Sequence, residues 1–341
     1  MEIVTTTEKL DEICRAAKEH PYVTVDTEFL RERTYFSKLC LVQLALPGSS
    51  LDDAFLIDPL SRDLCLDPLF QLFKNRKVIK VFHASRQDLE IFCLEAGIVP
   101  KPLFDTQVAA MVCGFGDQVA YETLVKNITK QPLDKSPRFT DWSRRPLTDA
   151  QKAYALADVT HLRQIYEFLS KNLNETGRAK WLQEELEILT NPETYIVRPE
   201  DAWLRVRTRT NSPYQLAIIR CLAEFREKYA QQHNIPRNRV FKDEALLELA
   251  FNKPRNLKEL HVSRLLQRDA RKGELALGIV DAIIKAEAIP KEDLPSPKEK
   301  TDSRKINPAL ADLLRVLLKA KVEQTGVAPK LIASSTELDS L

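Results

Sequence analysis

The chain has 341 residues, with 51 Lys and Arg set against 49 Asp and Glu for a net charge of +2. At roughly 100–200 residues per domain this bounds it at two domains and part of a third, and the near-balance of charge means that any nucleic-acid footprint must come from local clustering. With 44% hydrophobic and 29% charged residues the chain can bury a real core, and 8 glycines argue against an all-β protein with many tight turns.

Cys14, Cys40, Cys65, Cys93, Cys113 and Cys221 form no C-x-x-C pair and none stands at a zinc spacing from histidine, which reads as free thiols in a reducing compartment. The opening MEIVTTTEKLDEI lacks the basic-then-apolar pattern of a secretory leader. No apolar run approaches the ~18 residues of a membrane span. The expectation is a soluble cytoplasmic chain with no membrane partner. No G-x-x-x-x-G-K-[ST] occurs, which excludes a P-loop motor and predicts no nucleotide cofactor.

In chain order, Ile3–Val4 reads as a short strand, and Thr5 with Glu8 resembles a capping box for a helix running to about Lys18. Tyr22–Phe29 reads as a strand, Leu39–Leu46 as a continuously apolar buried strand, and Phe55–Ile57 as another. Leu66–Phe73 has helical spacing, Val78–Phe82 is strand-like and Arg86–Glu95 helical. Beyond this point no strand is predicted, and helices cover Thr106–Cys113, Tyr121–Thr129, Thr148–Lys171 and Arg178–Thr190. Early strands followed by helices predict an α/β domain over 1–190, a mixed sheet with helices packed on it. Residues 191–211 read as a linker, 212–289 as an all-α domain with Leu216, Ile219, Leu222 and Phe225 on one face and Asp243 capping Glu244–Phe251, 290–305 as a second linker, and Pro308–Val322 as a last helix.

Three places carry candidate chemistry. In Val25-Asp26-Thr27-Glu28-Phe29 the two carboxylates stand two apart on a strand and project from one face. Such a pair repels itself and resists desolvation, and a divalent cation would relieve both; a charged exposed strand edge would look the same. In His83-Ala84-Ser85-Arg86-Gln87-Asp88 the last residue falls in the first turn of a helix, where Ser85 and Asp88 could equally form a capping-box-like pair. Tyr154 and Asp158 are four apart on a helix whose core stripe is Leu156, Val159, Leu162 and Tyr166; a plain surface Tyr–Asp contact is the alternative.

Together these form D-x-E, then H-x-x-x-x-D, then Y-x-x-x-D, in chain order. The set resembles the DEDD 3′→5′ exonucleases of the tyrosine branch, with a ribonuclease H-like domain. Arg33-Thr34-Tyr35, Asp105-Thr106-Gln107, Leu133-Asp134-Lys135, Asp141-Trp142 and Arg145-Pro146-Leu147 extend the likeness to ribonuclease D over about 1–190. The helix Tyr214–Tyr229, His233-Asn234-Ile235-Pro236, Val240–Asp243 and Pro254–Leu260 resemble an HRDC module, although His261-Val262-Ser263-Arg264 stands where a glycine-containing turn is expected. Residues 306–341 resemble the opening of a second such module.

The resemblance implies a 3′→5′ exoribonuclease that trims RNA ends, tRNA precursors above all, and works as a monomer. Asp26, Glu28, Asp88 and Asp158 would hold two Mg²⁺ ions, with Mn²⁺ a substitute. Tyr154 would align the attacking water, and Glu28 would contact the terminal 3′-hydroxyl. Phe29 and Trp142 are candidates to stack on bases, and Arg31, Arg33, Lys135, Arg138, Arg144, Arg145, Arg205, Arg207 and Arg209 to touch phosphates. The same motifs serve DNA exonucleases, and a non-catalytic RNA-binding protein on this fold is a third alternative.

Overall fold

The computed structural model describes residues 3–133, 136, 140–296 and 307–338. It divides into two units: Met1–Leu30, Lys38–Ile196 and Arg304–Leu341 form the first, and Arg31–Ser37 with Val197–Ser303 the second.

The first unit is built on β1 (Ile3–Val4), β2 (Tyr22–Leu30), β3 (Lys38–Ala45), β4 (Ala54–Ile57), β5 (Ile79–Phe82) and β6 (Leu103–Asp105), in the sheet order β1-β4-β3-β2-β5-β6. β2 lies inside the sheet, antiparallel to β3 and parallel to β5. Its alternation decides the two faces. Val23 and Val25 join a core with Leu10 and Ile13 of α1 (Thr7–Ala17), Leu72 and Phe73 of α2 (Asp67–Lys74), and Leu89 and Phe92 of α3 (Arg86–Ala96). Tyr22, Thr24, Asp26 and Glu28 fall on the opposite face. The cap of α1 is Thr6, accepting from the Lys9 amide, one residue later than the Thr5 box expected.

β6 is a strand that periodicity does not predict. Its three residues are too few to show alternation, and parallel pairing with β5 defines it. It leads directly into α4 (Thr106–Val112). The short α5 (Tyr121–Leu124) follows, and then α6 (Asp149–Glu175), which opens on a capping box between Thr148 and Gln151. On α6 the stripe Leu156, Val159, Leu162 and Tyr166 is buried as expected. The buried Arg163 ties this helix to the β3–β4 loop through the carbonyls of Gly48, Ser50 and Asp53 at 3.1, 2.9 and 2.9 Å. α7 (Ala179–Leu189) closes the run, and Tyr195 beyond it is buried in the core under α1–α3. At the chain's end α13 (Pro308–Thr325), α14 (Pro329–Ile332) and α15 (Ser335–Leu338) group with this unit; the Ala328 N–H donates to the Met111 carbonyl at 2.9 Å.

The second unit packs α8 (Pro213–Gln232), α9 (Arg237–Val240), α10 (Asp243–Asn252), α11 (Leu257–Leu260) and α12 (Gly273–Glu287). Gly278 inside α12 has a steric reason: a Cβ there would overlap the Phe225 ring of α8. Asp243 makes no side-chain cap; it pairs at 2.7 Å with Arg226, which is fully buried. The glycine-free turn after α11 is held by Glu248, which accepts from Ser263 Oγ and from the amides of Arg264 and Leu265 at 2.6, 2.8 and 2.8 Å. Much of the stretch read as a linker is packed here. Pro199–Arg205 is a 3₁₀ helix, and Ala202 and Val206 lie in the core, because Pro199 at the helix start sets the turn. Arg31–Ser37 joins this unit through Tyr35, whose hydroxyl bonds Glu227, and through Asn234 Oδ1, which accepts from the amides of Tyr35 and Phe36 at 3.1 and 3.0 Å.

Candidate active site

Asp26 and Glu28 leave β2 on the face covered by α6, and neighbouring bonds fix that pairing. Thr24 Oγ1 donates to the Val159 carbonyl at 2.8 Å and Tyr22 Oη to Glu167 at 2.6 Å. α6 thus presents Tyr154 and Asp158 to the two acids of β2. Asp88 comes from the other side of the sheet. Thr27 points there, as strand alternation requires, and its hydroxyl bonds the Asp88 carboxylate. The Tyr121 hydroxyl bonds the Asp158 carbonyl. A cleft of about 370 Å³ is lined by Asp26, Asp158 and Tyr154 together with His83 and Tyr121.

Asp88 and Asp158 are each 6% exposed. Burial, and then the charge of Asp158, raises the Asp26 carboxyl well above the usual range, against a bond from the Thr27 amide. Burial and then Asp26 raise Asp88 well above it too, with Thr27 pulling the other way. The Tyr154 phenol is pushed far up by burial and by Asp158, Glu28 and Asp26, and it bonds Asp158. Two elements on opposite faces of the sheet therefore concentrate negative charge at one point.

That donor set fits divalent cations: carboxylates are hard oxygen ligands, and their mutual repulsion is relieved by a cation between them. Among the described residues no three His, Cys, Asp or Glu side chains already converge at ligand distance. The fit rests on the chemistry and charge of the donors.

A further carboxylate holds the Asp88 side in place. Asp105, 1% exposed, accepts from the amides of Ala84, Ser85, Gln107 and Val108 at 3.1, 2.8, 2.8 and 3.4 Å and from Ser85 Oγ at 2.8 Å. Ser85 is therefore spent on Asp105 and makes no cap, so it forms no box with Asp88. Ala84, at φ 54°, is held in the left-handed region beside these bonds. Asp105 was visible in the sequence only through family likeness, and Tyr121 not at all. An Asp opening a helix after a three-residue strand was the available signal.

Two proposed RNA contacts take different roles. Trp142 is 2% exposed and packs with Leu41, Leu147 and Leu156, its ring 6.1 Å from that of Tyr154. A stacking platform needs an open face, so Trp142 backs Tyr154 instead. Arg145 spends its guanidinium on both oxygens of Asp58 at 2.6 and 2.7 Å, on the Cys40 carbonyl at 2.6 Å and on the Trp142 carbonyl at 2.8 Å. It staples the Trp142 loop to the sheet rather than meeting a phosphate. Phe29 is half-buried against the core beside α1–α3. Arg144 is exposed and pairs with Asp141 at 3.2 Å. Arg31, Arg33, Arg205, Arg207 and Arg209 are exposed and belong to the second unit. Lys135 and Arg138, with Asp134, lie outside the described residues.

The 3′-5′ exonuclease family matches residues 1–174 and the HRDC domain family residues 215–269. Over 338 residues the chain is 62% identical to Ribonuclease D of Jannaschia sp. (strain CCS1), covering 99% of this chain and 88% of that protein. The chain belongs to the ribonuclease D family. It is 48% identical to Ribonuclease D of Granulibacter bethesdensis, over 99% of this chain and 85% of that one. The structure of Escherichia coli RNase D, an exoribonuclease involved in structured RNA processing, superposes with a TM-score of 0.86 at 30% identity, covering 99% of this chain and 88% of that one. The chain is accordingly a hydrolytic 3′→5′ exoribonuclease, of a family that typically uses divalent metals. Among the described residues no helix is long and apolar enough to cross a membrane.

Proposed function

We propose that the chain trims the 3′ ends of structured RNA, tRNA precursors above all, with Asp26, Glu28, Asp88 and Asp158 as the holders of two Mg²⁺ ions. The observation that carries this reading is the charge concentration at Asp26, Asp88 and Asp158, in which burial and then a neighbouring carboxylate raise Asp26 and Asp88 while Thr27 supplies only partial relief. Two such cations, when bound, supply the positive charge that activates water and steadies the phosphorane-like transition state. The four side chains would hold these cations, and α3, α6 and β2 set the spacing of those side chains. Tyr154 stays protonated at neutral pH, because burial and three carboxylates hold its proton on. It therefore acts as a hydrogen-bond donor that orients a water or phosphate oxygen, and not as the base. Glu28, on the strand face beside Asp26, takes the terminal 3′-hydroxyl in this reading. Water adds to phosphorus as the P–O3′ bond breaks, releasing a 5′-mononucleotide and a strand shorter by one.

The test is a degradation assay with a 3′-extended tRNA and a DNA strand of matched sequence, each with Mg²⁺ and with EDTA. Metal-dependent loss of single nucleotides from the RNA end, abolished in Asp26→Asn, Glu28→Gln, Asp88→Asn and Asp158→Asn, is expected. Near-parental rates in two of those variants would remove the two-metal assignment.

A further inference from the structure

His83 lines the same cleft as Asp26, Tyr154 and Asp158, yet the acids and the tyrosine leave it without a task. Its hydrogen bonds fix which nitrogen carries the proton. Thr106 Oγ1 spends its single hydrogen on the Phe82 carbonyl at 3.1 Å, so toward His83 Nδ1, 3.0 Å away, it can only accept. Nδ1 therefore carries a proton; burial holds the ring below its ordinary pKa and so keeps it neutral, which leaves Nε2 a lone pair. Among the described residues Nε2 has no protein partner, and it is not sealed from the cleft. The ring is held from the side by Tyr121, centroids 5.2 Å apart at 54°, and Tyr121 is itself pinned to the Asp158 carbonyl. A rigid, uncharged acceptor is thus built into the wall of a cleft whose other acceptors are chiefly carboxylates. Carboxylates that hold cations have fewer lone pairs left for a hydroxyl. The neutral Nε2 adds an acceptor that carries no charge of its own.

We propose that His83 Nε2 accepts a hydrogen bond from the ribose 2′-hydroxyl of the nucleotide seated in this cleft, and so makes the chain discriminate RNA from DNA ends. The inference rests on the reading above, which places the scissile end of the strand between β2 and α6. A 2′-hydroxyl donates as well as accepts, and its donor hydrogen is what this geometry uses. Gln107 is the rival: its amide nitrogen goes to the Val119 carbonyl at 3.2 Å, leaving its oxygen as a second neutral acceptor in the cleft wall.

The experiment measures initial rates of the first cleavage, with Mg²⁺, on one oligonucleotide in three forms: all-ribose, with its two 3′-terminal nucleotides 2′-deoxy, and with the same two 2′-fluoro. The wild-type protein is expected to prefer the ribose end about tenfold, the factor carried by one good hydrogen bond. It should treat the 2′-fluoro end, which accepts but cannot donate, like the deoxy end. His83→Leu should lose rate on ribose and keep it on deoxy, bringing the ratio to about one, and His83→Gln should restore part of the preference through its amide oxygen. The 2′-fluoro comparison needs no variant, so a misfolded His83→Leu protein leaves the test intact. Equal rates on ribose and fluoro ends, a His83→Leu protein that slows on all ends alike, or a preference lost in Gln107→Leu instead would each overturn the assignment. An inactive wild-type protein on the all-ribose strand would sink the underlying reading, and the proposal with it, which separates that failure from the others.

Discussion

Asp105→Asn should damage the protein far more than a one-atom change suggests. Oδ1 of Asp105 takes three amides, Ala84, Gln107 and Val108, and Oδ2 takes the amide and hydroxyl of Ser85. An asparagine must turn its NH₂ toward one of these sets. In the less costly orientation the NH₂ meets Ser85. The Ser85 hydroxyl can rotate to accept, but its buried amide faces another donor. One charge-assisted bond is lost at about 1.5–3 kcal/mol, and an unsatisfied buried N–H adds about 1–3 kcal/mol. Allowing for relaxation, a loss of about 3 kcal/mol follows, or a fall in Tm of about 6–12 °C for a unit of this size. The turn so loosened begins α3, which carries Asp88, and a shift of about 1 Å at a reacting centre can cost about a hundredfold in rate. Thermal unfolding followed by tryptophan fluorescence, with kcat on a 3′-extended RNA measured well below the variant's Tm, tests both halves. A Tm within about 2 °C of the parent would refute the hydrogen-bond reasoning. A destabilised protein with full kcat would show that Asp105 holds the fold without positioning Asp88.

Three further outcomes are expected. Tyr154→Phe removes the hydroxyl that bonds Asp158 and should lower kcat by about 10²–10³ while RNA binding holds; an unchanged kcat would leave Tyr154 a packing residue. In the metal-free protein, carboxyls raised as Asp26 is hold their protons longer when folded than the roughly 3.9 of an unfolded Asp, so their contribution falls as pH rises through that range. Asp26→Asn should therefore raise the metal-free Tm most at neutral pH and least at acid pH, and Mg²⁺ should stabilise the parent more than the variant; a gain that grew toward acid pH would contradict the sign. Gly278→Ala adds helix propensity of about 1 kcal/mol but forces a methyl into Phe225, so a net destabilisation of about 1–2 kcal/mol is expected in urea melts, and a stabilised variant would show that the α8–α12 contact can open without cost.

The sequence by itself determined the chemistry's raw materials. Period-2 alternation in Tyr22–Phe29 put Asp26 and Glu28 on one face, and the α6 stripe put Tyr154 and Asp158 beside the buried side of that helix; both are consequences of backbone geometry that neighbours do not alter. The apolar Leu39–Leu46 run announced a strand buried along its length, as β3 is. The tertiary structure alone decided what the individual polar residues do. Asp105 and Ser85 meet across a gap of 20 residues, Arg145 and Asp58 across 87, and Thr27 and Asp88 across 61. Such partners leave no periodic trace, because a hydrogen bond depends on the folded path between two elements and not on the spacing along either. For that reason Trp142 and Arg145 resembled RNA contacts in the sequence and proved to be the support behind Tyr154. Likewise β6 exists because β5 offers it an edge, and nothing within its three residues could say so.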